Sequence, residues 1–128
     1  MLKRVFLFAA LFWTGIILFF CLIKSSDIPK VNIQNLDKVI HSGFHFVFTI
    51  LWFLYLKKKF TSSNNFKLLT FTIIGSFVLG IAIELMQQYF TTTRSADVFD
   101  VLANLFGAFL AAFSIILLNA INGIVDKI

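Results

Sequence analysis

Four apolar stretches, each close to the length that crosses a bilayer, limit what this chain can fold into. They are Val5–Ile23, Val39–Leu56, Leu68–Tyr89 and Val101–Ile121. About 20 helical residues cover the hydrocarbon core of a membrane, with a range near 17 to 25. None of the four contains a proline, and the single Pro29 lies between the first and the second. Lipid offers the backbone no hydrogen-bond partners, so such segments are expected to be helices, which satisfy their own N–H and C=O groups. The reading is an all-α, polytopic membrane protein, a four-transmembrane-helix bundle forming one domain over residues 1–128.

Composition agrees. Hydrophobic residues make up 59% of the chain and charged residues 13%, whereas soluble domains carry roughly 25% charged. A water-soluble fold of this size could not hide so much apolar surface. The first stretch begins with Lys3 and Arg4, as a secretory signal would, but its apolar part is longer and no small-x-small cleavage site follows. Cys21, in "LFFCLI", lacks the preceding small residue of a lipid-modified cysteine. An uncleaved helix is the expectation. With one cysteine, an internal disulfide is excluded.

Lysine and arginine favour cytoplasmic loops. With the N-terminus inside, Lys3, Arg4, Lys57, Lys58, Lys59, Lys67 and Lys127 are cytoplasmic, while Lys24, Lys30, Lys38 and Arg94 lie outside. Both termini are therefore expected in the cytoplasm. The net charge of +5 reports membrane topology and contact with anionic lipid; it gives no reason to expect nucleic acid as a partner. "KKKFTSSNNFK", residues 57–67, reads as a short cytoplasmic turn, and "VNIQNL" as a segment lying along the outer interface.

Against this apolar background the outer side collects polar groups. Asp37, His41 and His45 are spaced four apart and share one stripe of the second helix. Glu84, Gln87 and Gln88 lie near the outer end of the third. Asp97, Asp100 and Asn104 begin the fourth, with Gly107, Ala108 and Ala111 continuing the same side, where small residues let another helix approach closely. Glu84 sits about five residues inside its helix end, roughly 7 Å below the interface. A lone carboxylate there is unfavourable, so it requires protonation or a partner. Arg94 in "FTTTRSAD" is the expected partner, with Lys38 and the histidines as alternatives.

These residues resemble the VanZ-like family of small bacterial membrane proteins. "DKVIHSGFHFVF" and "IELMQQYFTTTRSADVFDVLANLFGAF" match its pattern at Asp37, Lys38 and His41, at Glu84 and Gln87, at Arg94, and at Asp100, Asn104 and Gly107. His45 departs from it, since an aromatic is commoner there, and "QYFTTT" replaces the usual Pro-Gly turn. The resemblance implies the bacterial cytoplasmic (inner) membrane and the cell envelope. The family's founding member is associated with low-level resistance to the glycopeptide teicoplanin, without an established biochemical activity. Together with the residue reading, it nominates Asp37, Lys38, His41, Glu84, Gln87, Arg94, Asp97, Asp100 and Asn104 as binding residues. The expected partners are membrane lipids or a lipid-linked cell-wall precursor.

Other chemistries find less support. Asp37, His41, His45 and Glu84 are ligand types, yet "HSGFH" lacks the Glu of a His-Glu-x-x-His zinc helix, so no metal or other cofactor is expected. "TTRSADVFD" is similar to the Ser-Arg-x5-His block of type 2 phosphatidic acid phosphatases, but Asp100 stands where the nucleophilic histidine belongs. Triads, glycine-rich phosphate loops and dinucleotide fingerprints are absent. Three classes remain: a binding protein of the envelope, a hydrolase or transferase acting on a lipid-linked phosphate, and a transporter or flippase. A purely structural role competes with all three, with Ser95 or Asp97 capping the fourth helix.

Overall fold

The computed structural model describes residues 1–22, 36–90 and 97–128. They form four helices: α1 (Leu2–Leu22), α2 (Leu36–Lys59), α3 (Asn65–Phe90) and α4 (Val98–Asn122). All four are long and apolar enough to cross a membrane, and the described residues contain no strand. A helix covers each expected apolar run within the described residues, Ile23 at the end of the first lying outside them, and each helix runs past its run at one or both ends. Hydropathy registers only the part that contacts lipid, whereas backbone hydrogen bonding continues into the interface until something stops it. Lys57, Lys58 and Lys59 thus form the last turn of α2, where cations suit the negative end of the helix dipole.

The stops are chemical. The turn between α2 and α3 shrinks to residues 60–64, with Asn64 accepting the Phe66 N–H at 2.7 Å as an N-cap. Asp97 caps α4 in extended conformation and accepts the Phe99 N–H at 2.9 Å. At the far end Gly123 adopts φ 60°, a left-handed conformation that costs glycine little, and its N–H bonds the Asn119 carbonyl at 2.8 Å. The segment "VNIQNL" lies outside the described residues up to Asn35.

Helix α2 is the hub, packing against α1, α3 and α4, while α1 reaches α3 but not α4. One apolar core joins Phe53, Leu68, Leu69, Ala112, Ile115 and Val125. The other joins Ile17, Cys21, Phe48 and Ile83, flanked by Trp13, Phe44, Trp52 and Met86. Phe8, Phe12, Phe71, Phe106, Phe109 and Phe113 point outward, as expected where the solvent is lipid.

The closest approach is between α2 and α4. Ser42 Oγ donates to the Ala103 carbonyl at 3.0 Å, and a Cβ on Gly107 would overlap the Ser42 carbonyl. Gly107 lets the two backbones touch, and this brings the polar ends of α2 and α4 together. The opposite end carries its own polar knot. Asp126 accepts from Asn65 and Asn119 and lies 3.8 Å from Lys57. Those amides, Asn119 foremost and then Asn65, hold its carboxyl below the ordinary range.

Candidate functional site

Lys38 organises the end of the bundle where α2 and α4 begin. Its ammonium contacts Asp37 at 3.0 Å, Asp97 at 2.7 Å and Asp100 at 2.5 Å, so its three protons face three carboxylates. It reaches the two α4 acids because it lies one turn before the Ser42 contact, on the face of α2 that meets α4. Exposure falls steeply along the cluster, from 63% for the Asp37 side chain and 40% for Asp97 to 11% for Asp100 and 8% for His41. Asp37 and Asp97 are a rim; Asp100 and His41 are a floor.

Asp97 links three elements. Its carboxylate takes Lys38 Nζ from α2 and caps α4, while its backbone N–H donates to Glu84 Oε2 on α3 at 2.9 Å. The Lys38 ammonium, followed by the Phe99 N–H, holds its carboxyl below the usual range. Glu84 itself is buried, and its second oxygen, Oε1, has no hydrogen-bond partner among the described residues.

His41 Nδ1 lies 3.1 Å from Asn104 Oδ1, and its Nε2 faces Asp100 Oδ2 at 3.8 Å. Asn104 is itself placed by Gly80, where a Cβ would stand 2.7 Å from the Asn104 Nδ2. One donor atom each from His41, Glu84 and Asp100 lies within 4.8 Å of the others, and all three residues are buried.

The nominated residues therefore divide. Asp37, Lys38, His41, Glu84, Asp97, Asp100 and Asn104 are brought to one end of the bundle. Gln87 is buried at the same end but turns toward α1, donating to the Cys21 carbonyl at 2.7 Å. Gln88 is exposed. His45 lies a turn deeper and pairs with Ser76 Oγ at 2.6 Å. Arg94, the expected partner of Glu84, lies outside the described residues, as does Ser95; the Asp97 N–H is the Glu84 contact within them. Gly80 and Ser76 escaped the sequence reading, and Ser42 entered it only as a serine without a catalytic motif. The signal was small residues at helical spacing from a polar one: Gly80 lies four before Glu84, Ser76 eight before it, and Ser42 four after Lys38.

A bundle of four membrane-crossing helices with an ionised cluster at one end defines a multi-pass α-helical membrane protein. The family model described as VanZ/LLP1 matches residues 6–119, nearly the whole chain, and the chain belongs to that family. No curated protein and no solved structure matches it.

Proposed function

We propose that this protein sits in the bacterial cytoplasmic membrane with both termini inside and engages, from outside, a phosphate-bearing envelope lipid or lipid-linked cell-wall precursor. The observation that carries this reading is the gradient from an exposed rim at Asp37 and Asp97 to a buried floor at Asp100 and His41. A charged cluster that grades from exposed to buried where the helices end stands at headgroup depth. Intramembrane ionisable residues of this kind mark sites more often than scaffolding. Lys38 is already neutralised by its carboxylates, so the phosphate is assigned to Arg94, whose planar fork binds phosphate bidentately. Susceptibility to a lipoglycopeptide such as teicoplanin is the phenotype this reading connects to.

Two experiments test it. Lipids co-purifying with the wild type should include an enriched phosphate-bearing species, identified by mass spectrometry. Arg94→Ala, and also Arg94→Lys, should lose that enrichment at equal protein yield; unchanged lipids in both would make Arg94 scaffold. For orientation, in a Cys21→Ala background, Gln34→Cys should react with a membrane-impermeant thiol reagent in intact cells and Ser62→Cys should not. The reverse labelling pattern would invert the topology.

A second reading, a membrane-embedded hydrolase or transferase acting on a lipid-linked phosphate, is favoured by the convergence of His41, Glu84 and Asp100. Those side chains could hold a water and take its proton. Release of inorganic phosphate from a polyprenyl diphosphate by the wild type, lost in Glu84→Gln, would select this reading over simple binding.

A further inference from the structure

We propose that His41, Glu84 and Asp100 form a binding site for one divalent cation of borderline character, of which Zn2+ is the type, on the floor of the outer cluster. The three side chains come from α2, α3 and α4, and each is at least nine-tenths buried. Charge is the first argument. Asp37, Glu84, Asp97 and Asp100 are four carboxylates, and Lys38 is the one cation that the described contacts give them. Lys38 serves Asp37, Asp97 and Asp100; no contact joins it to Glu84.

The orphaned oxygen is the second argument. Glu84 Oε2 accepts the Asp97 N–H, but Oε1 is buried without a hydrogen-bond partner among the described residues. With both groups ionised, an unsatisfied carboxylate oxygen beside a second buried carboxylate is repelled by it and has lost its water, which is costly in a low-dielectric setting. A cation between the two carboxylates removes both costs.

The imidazole is the third. Because His41 Nδ1 meets the Asn104 carbonyl oxygen, the proton belongs on Nδ1. Nε2 then faces Asp100 Oδ2, 3.8 Å away, and in the neutral ring it offers its lone pair there. A histidine whose outer N–H is fixed by a carbonyl, and whose inner nitrogen faces carboxylates, is oriented as metal-ligating histidines are. Three donors no more than 4.8 Å apart leave a central ion about 2.8 Å or less from each. An inward shift of at most about 0.6–0.8 Å per side chain then reaches the usual 2.0–2.2 Å for Zn–N and Zn–O bonds.

The donor set decides the class of ion. Mg2+ and Ca2+ favour all-oxygen shells, whereas one imidazole with two carboxylates suits Zn2+. Three protein ligands leave a coordination position free for water or a phosphate oxygen. The cation site does not depend on the lipid reading, and its test contains no phosphate.

Full-length, tag-free protein in maltoside detergent, stripped with a chelator, is titrated with Zn2+ against a chromogenic competitor. Wild type should take up a single ion per chain and melt at a higher temperature with it. Mg2+ and Ca2+ should bind at least about 10-fold more weakly. Glu84→Gln should lose the tight site, and Asn104→Ala should weaken it by about 10–100-fold by releasing the imidazole. Asp126→Asn, at the other end of the bundle, should bind like wild type. The proposal is overturned if wild type takes up well under one ion per chain, or if Glu84→Gln binds equally well. It is also overturned if Glu84→Gln melts higher while neither form binds, since a shared proton would then hold the carboxylates. Should Glu84→Gln fail to fold, wild type alone decides: no change in its melting temperature on adding Zn2+ ends the proposal.

Discussion

Gly107→Ala is expected to be the most damaging single-methyl change in the bundle. The added Cβ would run into the Ser42 carbonyl, with the Ser42 carbonyl carbon at 2.7 Å and its Cα at 3.0 Å. These are backbone atoms, so no rotamer change relieves the contact and one helix must move. Overpacking costs about 1–3 kcal/mol where side chains can yield, and occasionally more; here the upper end or beyond is expected. Moving α4 off α2 would also stretch the Ser42–Ala103 hydrogen bond and carry Asp100 and Asn104 away from Lys38 and His41. Two glycines calibrate the measurement. Nothing lies within 4 Å of a Cβ on Gly75, so Gly75→Ala should be neutral or stabilising by about 0.5–1 kcal/mol through helix propensity. At Gly80 the obstacle is the far end of the Asn104 side chain, which can swing aside. Gly80→Ala should therefore cost less stability than Gly107→Ala while disturbing the His41–Asn104 contact. Thermal unfolding in detergent gives the ranking, and a Gly107→Ala variant as stable as Gly75→Ala would show that the helices are not in backbone contact.

The glycine comparison also marks how far sequence reasoning reaches. Gly107 was legible as part of a small-residue side of α4, because Asp97, Asp100, Asn104 and Gly107 recur at helical spacing. That its partner is the Ser42 carbonyl was not, since "HSGFH" offers two small residues and a sequence does not say which one faces α4. Span existence was readable from hydropathy, and the collection of acids at one end followed from counting helices. Pairing was not readable. Depth and loop position favoured Arg94 for Glu84, with Lys38 and the histidines as alternatives; only helix rotation decides that Lys38 turns to α4 and that Glu84 takes the Asp97 backbone N–H. His45 shows the limit most clearly. It shares a stripe with His41, but one turn of α2, a rise of about 5.4 Å, carries it below the acids to Ser76. Spacing fixes the face a residue occupies, while packing fixes the neighbour it meets there.

Lys38→Met is the complementary large effect, acting through charge instead of volume. Methionine keeps the length and apolar stem of lysine and removes only the ammonium, leaving Asp97 and Asp100 at the α4 N-terminus without a lysine or arginine counterion among the described residues. Breaking a buried ion pair by deleting one member costs about 3–5 kcal/mol, because the survivor is left charged and unpaired. Asp97 is 40% exposed and Asp37 63%, so water screens their share and little is assigned to them. Asp100, at 11%, carries the main loss. The helix dipole of α4 offsets a fraction of it, since acids are favoured in a first turn. An overall loss of about 2–3 kcal/mol is expected. If unpaired charge is the cause, removing the survivor should restore stability. Lys38→Met with Asp100→Asn should then be more stable than Lys38→Met alone, an interaction that a double-mutant cycle reads directly. Strictly additive losses would mean that Lys38 and Asp100 stabilise the bundle independently, the 2.5 Å contact between them notwithstanding. The cycle is best run in chelator-treated protein. A cation bound to Asp100 would neutralise part of the charge that Lys38 leaves behind, so adding Zn2+ back should shrink the Lys38→Met loss where the ion site exists and leave it unchanged where it does not.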